Sequence, residues 1–134
     1  MKQNKLHIII AEDDIDDGEI IQASFARHPS FLNVDIVKNG KELLDFLKSA
    51  KNIPDIILTD INMPILNGIE ALAAIHQDSS LKNIPAFVYS TAINPSYEAK
   101  CKELGTKGFL IKPFNLEEFY EIPNRILYML GWKD

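Results

Sequence analysis

Acidic, hydroxyl and amine side chains follow four of the five short apolar runs in this sequence, at the point where each run ends. In chain order these residues are Glu12, Asp13 and Asp14, then Asp60, then Ser90 and Thr91, and finally Lys112. If the runs are parallel strands, their carboxyl ends meet at one edge of a sheet, where ligands bind in open α/β proteins. The pattern therefore predicts one site that combines several carboxylates, a hydroxyl and an amine.

Carboxylates gathered at one edge repel one another and raise their own pKa values unless a cation joins them. Mg²⁺ fits such a group because it prefers oxygen ligands and commonly binds through one or two carboxylates plus a phosphoryl group. One acid then remains available as a nucleophile. An acid at a strand end can also cap the next helix, and Asp14 suits that role better than metal binding.

Five alternating strand and helix units must position these residues. Apolar runs rich in branched residues alternate with amphipathic stretches, which is typical of a parallel sheet covered on both faces. The predicted strands are Leu6–Ala11, Val34–Val37, Asp55–Thr59, Ala86–Ser90 and Gly108–Ile111. The predicted fold class is therefore α/β, with a doubly wound five-stranded parallel sheet.

Capping and turn residues set the expected helix limits. Helices are predicted after Asp14 and ending before Pro29, over Lys41 to Ala50, after Asn67-Gly68, from Pro95 to the vicinity of Gly105, and from Asn115 towards Leu130. Pro123 lies inside the last of these helices. Proline costs about 3 kcal/mol in a regular helix interior, so we expect a kink or break near residues 119–123.

Composition favours one acidic domain over residues 1–134. The 14 basic and 19 acidic residues give a formal net charge of -5, which argues against direct binding of nucleic acid or of an acidic membrane surface. The single cysteine, Cys101, excludes an intramolecular disulfide and fits a reducing, cytoplasmic location. The run Leu6–Ala11 is too short to span a bilayer.

The segments AEDD, TDINMP followed by Gly68, YSTA and KPF together resemble the CheY-like receiver domain of two-component response regulators. The separations of Asp60, Ser90 and Lys112 also match that family. The resemblance covers nearly the whole chain and implies a flavodoxin-like (βα)5 fold with strand order 2-1-3-4-5. It also implies a phospho-acceptor switch in a phosphorelay rather than an enzyme.

Site roles carry over from the resemblance residue by residue. Asp60 would be the phosphorylated nucleophile and a metal ligand, and Lys112 would pair with a phosphoryl oxygen. The remaining ligands of Mg²⁺ would be Glu12, Asp13 and the main-chain carbonyl of Asn62. The resemblance further implies a cis peptide bond between Lys112 and Pro113, which would aim the lysine amine at Asp60.

The resemblance also implies a switch. Ser90 would hydrogen-bond a phosphoryl oxygen, and Phe109 would then turn inward and alter the face made by the fourth helix, fifth strand and fifth helix. On a short strand, Phe109 should point away from the face that Leu110 occupies and towards the fourth helix. For Thr91, a switch role and an exposed strand-end position remain equally open.

The segments EDDIDD, NGKELLDFL and LYMLGW are most similar to the small stand-alone regulators of phytochrome-type histidine kinases. A sensor histidine kinase is therefore the expected phosphoryl donor. With no output domain expected, the signal should pass to a downstream protein by docking. The apolar run Ile126, Leu127, Met129, Leu130 and Trp132 fits a homodimer contact, a kinase-docking patch or simple packing onto the domain's own sheet.

Two other functions compete with this interpretation. A phosphatase of the haloacid-dehalogenase type needs a second acid two residues after its nucleophile, where this chain has Asn62, and it needs room for a cap domain. A pseudo-receiver would keep the fold as a binding module without phosphorylation. Because a suitable residue fills every expected site position, the sequence favours the phosphorylated receiver.

Overall fold

The computed structural model describes residues 5–91 and 94–132. Its strands are β1 (Leu6–Ala11), β2 (Phe31–Val37), β3 (Ile56–Thr59), β4 (Ala86–Ser90) and β5 (Gly108–Ile111). Its helices are α1 (Ile15–Ala26), α2 (Gly40–Ser49), α3 (Gly68–His76), α4 (Pro95–Glu103), α5 (Leu116–Tyr120) and α6 (Ile122–Leu130). Within these described ranges, no helix has the length and apolar character needed to cross a membrane.

The five strands form one parallel sheet in the order β2-β1-β3-β4-β5, which confirms the predicted topology. Ala11 at the end of β1 pairs with Thr59 at the end of β3, and Ser90 at the end of β4 pairs with Ile111 at the end of β5. The residues that follow these strands therefore emerge at the same edge. This alignment brings the predicted site residues together.

Alternate residues of the central strands feed two separate hydrophobic cores. Ile8 and Ile10 of β1 point into the core beneath α1, α5 and α6, while Ile9 points into the core beneath α2, α3 and α4. All three isoleucines are fully buried, as expected for a parallel sheet covered on both faces. The central strands therefore hold the site edge on a rigid support.

Side-chain caps place the helices where the sequence predicts them. The Asp14 carboxylate accepts a hydrogen bond from the backbone N of Asp17 at the start of α1. Before α3, Asn67 and Glu70 form a reciprocal capping box. These caps satisfy backbone donors that the first turn of a helix leaves free.

Two strand limits differ from the prediction. β2 begins at Phe31 rather than Val34. The prediction placed the start too late because the polar residue Asn33 interrupts the apolar pattern of this edge strand. β3 begins one residue later than predicted, at Ile56, and the carboxylate of the preceding Asp55 accepts a hydrogen bond from the backbone N of His7. Neither difference moves a residue of the site edge.

Pro123 divides the last helical segment, as predicted. α5 ends at Tyr120 and α6 begins at Ile122, with Glu121 between them. Pro123 lies in the first turn of α6, where its missing N–H has no helical acceptor and therefore costs little. The segment that was predicted as one helix with a kink or break therefore forms two helices.

Replacing Gly68 by Ala should destabilise the fold, because an added Cβ would lie 2.1 Å from the backbone oxygen of Asp60. We expect a loss of about 1–3 kcal/mol or more in the free energy of unfolding, measured by urea denaturation. Gly18→Ala is the matched control, since its nearest neighbour is the mobile Cδ1 of Ile36 at 3.3 Å. An equal loss in both variants would contradict the proposed clash.

Candidate phosphoryl-acceptor site

Three carboxylates meet where β1 and β3 end. Glu12, Asp13 and Asp60 each offer one oxygen, and these three oxygens lie within 4.8 Å of one another. Glu12 and Asp60 are buried, whereas Asp13 is exposed. The sequence predicts that these three acids come together, and the structure adds that two of them are buried and one lies at the surface.

Lys112, which follows β5, lies among acids from three different parts of the chain. Its Nζ is 2.8 Å from Oε1 of Glu12, 2.9 Å from Oδ2 of Asp60 and 3.0 Å from Oδ2 of Asp17. Burial alone lowers the pKa of Lys112, but its hydrogen bonds to Glu12 and Asp60 outweigh burial and raise that pKa. Lys112 therefore stays protonated across the neutral range and neutralises part of the acidic cluster.

Tyr89 of β4 is a part of the site that sequence reasoning did not single out. Its hydroxyl donates a 2.6 Å hydrogen bond to Oε1 of Glu12, and its ring centroid lies 5.0 Å from the Nζ of Lys112. Burial, followed by the charge of Glu12, raises the pKa of Tyr89 above its ordinary value. The sequence did contain a signal for this role, namely a tyrosine next to Ser90 in a buried strand. A buried tyrosine hydroxyl usually needs a hydrogen-bond partner.

Glu12 is held on both of its oxygens. Oε1 contacts Lys112 and Tyr89, and Oε2 accepts a 3.1 Å hydrogen bond from the backbone N of Asp14. Burial raises the pKa of Glu12, while the hydrogen bonds from Lys112, Tyr89 and Asp14 oppose that rise. The side chain is therefore oriented by its neighbours before any ligand binds.

Asp60 is likewise oriented. Its Oδ1 accepts a 2.7 Å hydrogen bond from the backbone N of Ile61, and its Oδ2 accepts one of 2.9 Å from Lys112. The main-chain oxygen of Asp60 accepts a hydrogen bond from the hydroxyl of Thr59. A carboxylate fixed in this way beside a lysine can act as a nucleophile towards an electrophilic phosphorus.

Comparison with known proteins agrees with this geometry. Residues 8–123 match the family model described as the response regulator receiver domain. The chain belongs to the response regulator receiver family. As a receiver of two-component signalling, it is a phospho-acceptor switch rather than a classical enzyme, and its acidic pocket with Lys112 is consistent with a phospho-acceptor site.

Individual relatives span nearly the whole receiver. It is 31% identical over 121 residues to the two-component response regulator ORR3 of Oryza sativa, covering 90% of each chain. It superposes on the phosphorylated cyanobacterial phytochrome response regulator RcpA with a TM-score of 0.86, at 30% identity and 96% coverage of each chain. The Mn²⁺-bound response regulator Rcp1 gives 0.81, at 27% identity and 92% coverage of each.

The acidic group of this receiver fits a divalent cation. All three side chains offer carboxylate oxygens, the ligand type that Mg²⁺ and Mn²⁺ favour, and their spacing allows one ion to reach them together. Lys112 balances only part of their negative charge. The residues that would hold the ion are Glu12, Asp13 and Asp60.

The predicted switch residues of the receiver lie on β4 and β5 or directly after β4. Ser90 is buried at the end of β4, whereas Thr91 is exposed and lines a cavity of about 360 Å³ together with Asp17 and Lys112. Phe109 packs on the core beneath α2, α3 and α4, and Leu110 belongs to the opposite core. The predicted direction of Phe109 is therefore confirmed.

The predicted cis peptide bond between Lys112 and Pro113 is wrong, because this bond is trans. The trans form is the intrinsically favoured one for a bond that precedes proline. With this trans bond, Lys112 already reaches Asp60 at 2.9 Å. The lysine therefore does not need the sharper turn that the receiver resemblance implied.

Most of the C-terminal apolar run of the receiver packs into its own hydrophobic core. Ile126 and Leu127 are buried residues of α6, and Leu130 and Trp132 pack against the same core as partly buried residues. Met129 remains 39% exposed beside the exposed Tyr128. Packing onto the domain's own sheet therefore accounts for most of the run.

Raising the pH above about 10 should destabilise the receiver in metal-free buffer. Unfolded Tyr and Lys side chains lose protons near their ordinary pKa values of 10.0 and 10.5, whereas the raised pKa values of Tyr89 and Lys112 keep both protonated in the folded state. The unfolded state then binds fewer protons, so stability falls by about 1.4 kcal/mol per pH unit for each group.

Tyr89→Phe should flatten this fall, as measured by urea unfolding at a series of alkaline pH values. Tyr128→Phe removes a hydroxyl from an exposed side chain and should leave the slope unchanged. Identical slopes for the parent protein and Tyr89→Phe would show that the Tyr89 hydroxyl does not keep its proton on folding.

Proposed function

We propose that this receiver accepts a phosphoryl group on Asp60 from the phosphohistidine of a sensor kinase. The observation that carries the proposal is the position of Asp60. Its Oδ2 lies 2.9 Å from the Nζ of Lys112, and its carboxylate belongs to the group of three acids. A buried carboxylate next to both a fixed cation and a set of metal ligands is equipped for phosphoryl transfer.

The reaction needs positioning and charge neutralisation more than acid–base chemistry. An oxygen of Asp60 attacks phosphorus, the bond from phosphorus to the histidine nitrogen breaks, and the electron pair of that bond stays with the histidine. Charge spreads over the phosphoryl oxygens during transfer. Lys112, already protonated beside Asp60, pairs with one of these oxygens. The receiver thereby takes part in its own phosphorylation and later dephosphorylation.

Mg²⁺ is the proposed metal. Glu12, Asp13 and Asp60 would hold it with their carboxylates, and Asn62, in the loop that follows Asp60, would add its main-chain carbonyl. When bound, Mg²⁺ supplies positive charge that stabilises the transferring phosphoryl group. The exposure of Asp13 places one ligand within reach of an ion that arrives from solvent.

The signal is proposed to leave through the face formed by α4, β5 and the predicted fifth helix, which comprises α5 and α6. Ser90 hydrogen-bonds a phosphoryl oxygen, and Phe109 then turns inward on β5. Phe109 is half-buried beside the core that includes Cys101 of α4, so a change in its rotamer alters the packing of that helix. A phosphoryl group adds about two negative charges, enough to bias two packings that differ by a few kcal/mol.

A phytochrome-type histidine kinase is the proposed donor, supported by the likeness to RcpA and Rcp1. The downstream target is a protein rather than nucleic acid, in keeping with the net charge of -5. The exposed Tyr128 and Met129 of α6 offer a surface for a homodimer. The buried free thiol of Cys101 accords with a reducing, cytoplasmic location.

Incubation with acetyl phosphate and Mg²⁺ should phosphorylate the parent protein at Asp60, as detected by intact mass and by mapping of the acid-labile site. Asp60→Asn should abolish labelling, because an amide is a poor nucleophile towards phosphorus. Asp55→Asn, at the other end of β3, is the control and should be labelled normally. Failure of the parent protein to accept the group would instead favour the pseudo-receiver.

Asp13→Asn should weaken Mg²⁺ binding by about tenfold, because it removes one charged oxygen ligand from the site. Isothermal titration calorimetry measures this affinity directly. Asp16→Asn removes the same charge from an exposed residue of α1 and should have a much smaller effect. Unchanged affinity in Asp13→Asn would refute the assignment of this acid as a ligand.

Ser90→Ala should still accept the phosphoryl group but should lose most of the phosphorylation-dependent change in dimerisation or partner binding. The reason is that the lost hydroxyl couples the phosphoryl group to β4, whereas Asp60 and Lys112 are untouched. Size-exclusion chromatography with and without phosphodonor provides the measurement. A full response in Ser90→Ala, with loss of the response in Thr91→Ala, would transfer the switch to Thr91.

A further inference from the structure

Asp17 makes a contact that the roles assigned above do not use. It lies in the first turn of α1, and its Oδ2 is 3.0 Å from the Nζ of Lys112. Its side chain is 30% exposed, so it reaches the buried ammonium from the outer rim of the site. The contact therefore joins α1 to the residue that follows β5.

Helix capping does not account for the direction of this side chain. In α3 the carboxylate of Glu70 turns back to accept from the backbone N of Asn67, at 2.9 Å. In α1 the corresponding backbone N belongs to Asp14, and it donates to Glu12 instead. The Asp17 carboxylate is thus free of the capping role and is directed to Lys112.

The backbone of Asp17 is nevertheless fixed by the cap. Its N–H donates a 2.9 Å hydrogen bond to Oδ1 of Asp14, which holds the first turn of α1 in place. The following Gly18 is buried, so the turn packs closely against the domain. The carboxylate of Asp17 is therefore presented to Lys112 from a fixed position.

An ammonium group has three N–H donors, and here three carboxylates surround it. Two of them, Glu12 and Asp17, lie outside the group proposed to react, while the third is Asp60. Because the three donors have a fixed tetrahedral arrangement, two held contacts determine the direction of the third. Glu12 and Asp17 together therefore aim one N–H of Lys112 at the reacting carboxylate.

We propose that Asp17 is a positioning residue for phosphoryl acceptance, acting through Lys112. This inference rests on the proposed function of Asp60 and Lys112. When Asp60 carries a phosphoryl group, the N–H that pointed to its carboxylate oxygen donates to a phosphoryl oxygen instead. The contacts of Lys112 with Glu12 and Asp17 stay in place, so the lysine does not have to be repositioned during the reaction.

The test is the affinity for beryllofluoride, a stable phosphoryl analogue, at saturating Mg²⁺. Asp17→Asn should bind the analogue about fivefold more weakly than Asp16→Asn, which is the loss expected for one partly exposed charged contact. Both variants remove one negative charge from the first turn of α1, so their general electrostatic effects are closely matched. Asp16 is exposed, and in the described part of the chain the ion pairs of Lys112 are with Glu12, Asp17 and Asp60 and not with Asp16.

Two further measurements separate positioning from a structural effect. Asp17→Glu, which keeps the carboxylate, should recover part of the affinity. The Mg²⁺ affinity of Asp17→Asn should equal that of Asp16→Asn, because neither residue is a proposed ligand. Thermal unfolding confirms that each variant is folded, and Asp17→Ser provides the same comparison if Asp17→Asn is not.

The outcomes distinguish the positioning role of Asp17 from the proposed function of the receiver. Equal analogue affinity in Asp17→Asn and Asp16→Asn, or tighter binding in Asp17→Asn, would overturn the positioning role alone. Tighter binding would mean that Asp17 competes with the phosphoryl group for Lys112. Failure of the parent protein to bind the analogue would overturn the proposed function and the positioning role together.

Discussion

The buried ammonium of Lys112 is the interaction on which the site depends. Three carboxylates lie within 3.0 Å of its nitrogen, and two of their residues, Glu12 and Asp60, are buried. Without a cation between them, two buried carboxylates would repel each other at a high cost in free energy. Lys112 offsets this repulsion by contacting both Glu12 and Asp60 at 2.8 and 2.9 Å.

The fold supplies this arrangement by aligning the ends of strands. β1 delivers Glu12 and Asp13 to a common edge, β3 delivers Asp60 and β5 delivers Lys112. The tight packing of Gly68 against Asp60 fixes the loop that follows β3. The isoleucines of β1 are buried on both faces, so the edge cannot shift without disrupting two cores. Charge placement and apolar packing thus reinforce each other.

Much of this was predictable from the sequence because the governing signals are local. The apolar runs located β1, β4 and β5, the caps at Asp14 and Asn67 located helix starts, and strand-end chemistry located the acidic site. The features that were not predicted are contacts between residues far apart in the chain. The contacts from Tyr89 to Glu12 and from Asp17 to Lys112 join residues far apart in sequence, and no local pattern specifies which partner a buried hydroxyl or a rim carboxylate finds.

The hydrogen bond between Tyr89 and Glu12 also has an evolutionary consequence. Glutamate is longer than aspartate by one methylene, about 1.5 Å, and that length brings its oxygen to 2.6 Å from the tyrosine hydroxyl. An aspartate at the same position would leave this hydroxyl buried without its acceptor, at a cost of about 1–3 kcal/mol. The two positions should therefore covary among relatives, with glutamate accompanying tyrosine and aspartate accompanying an apolar residue.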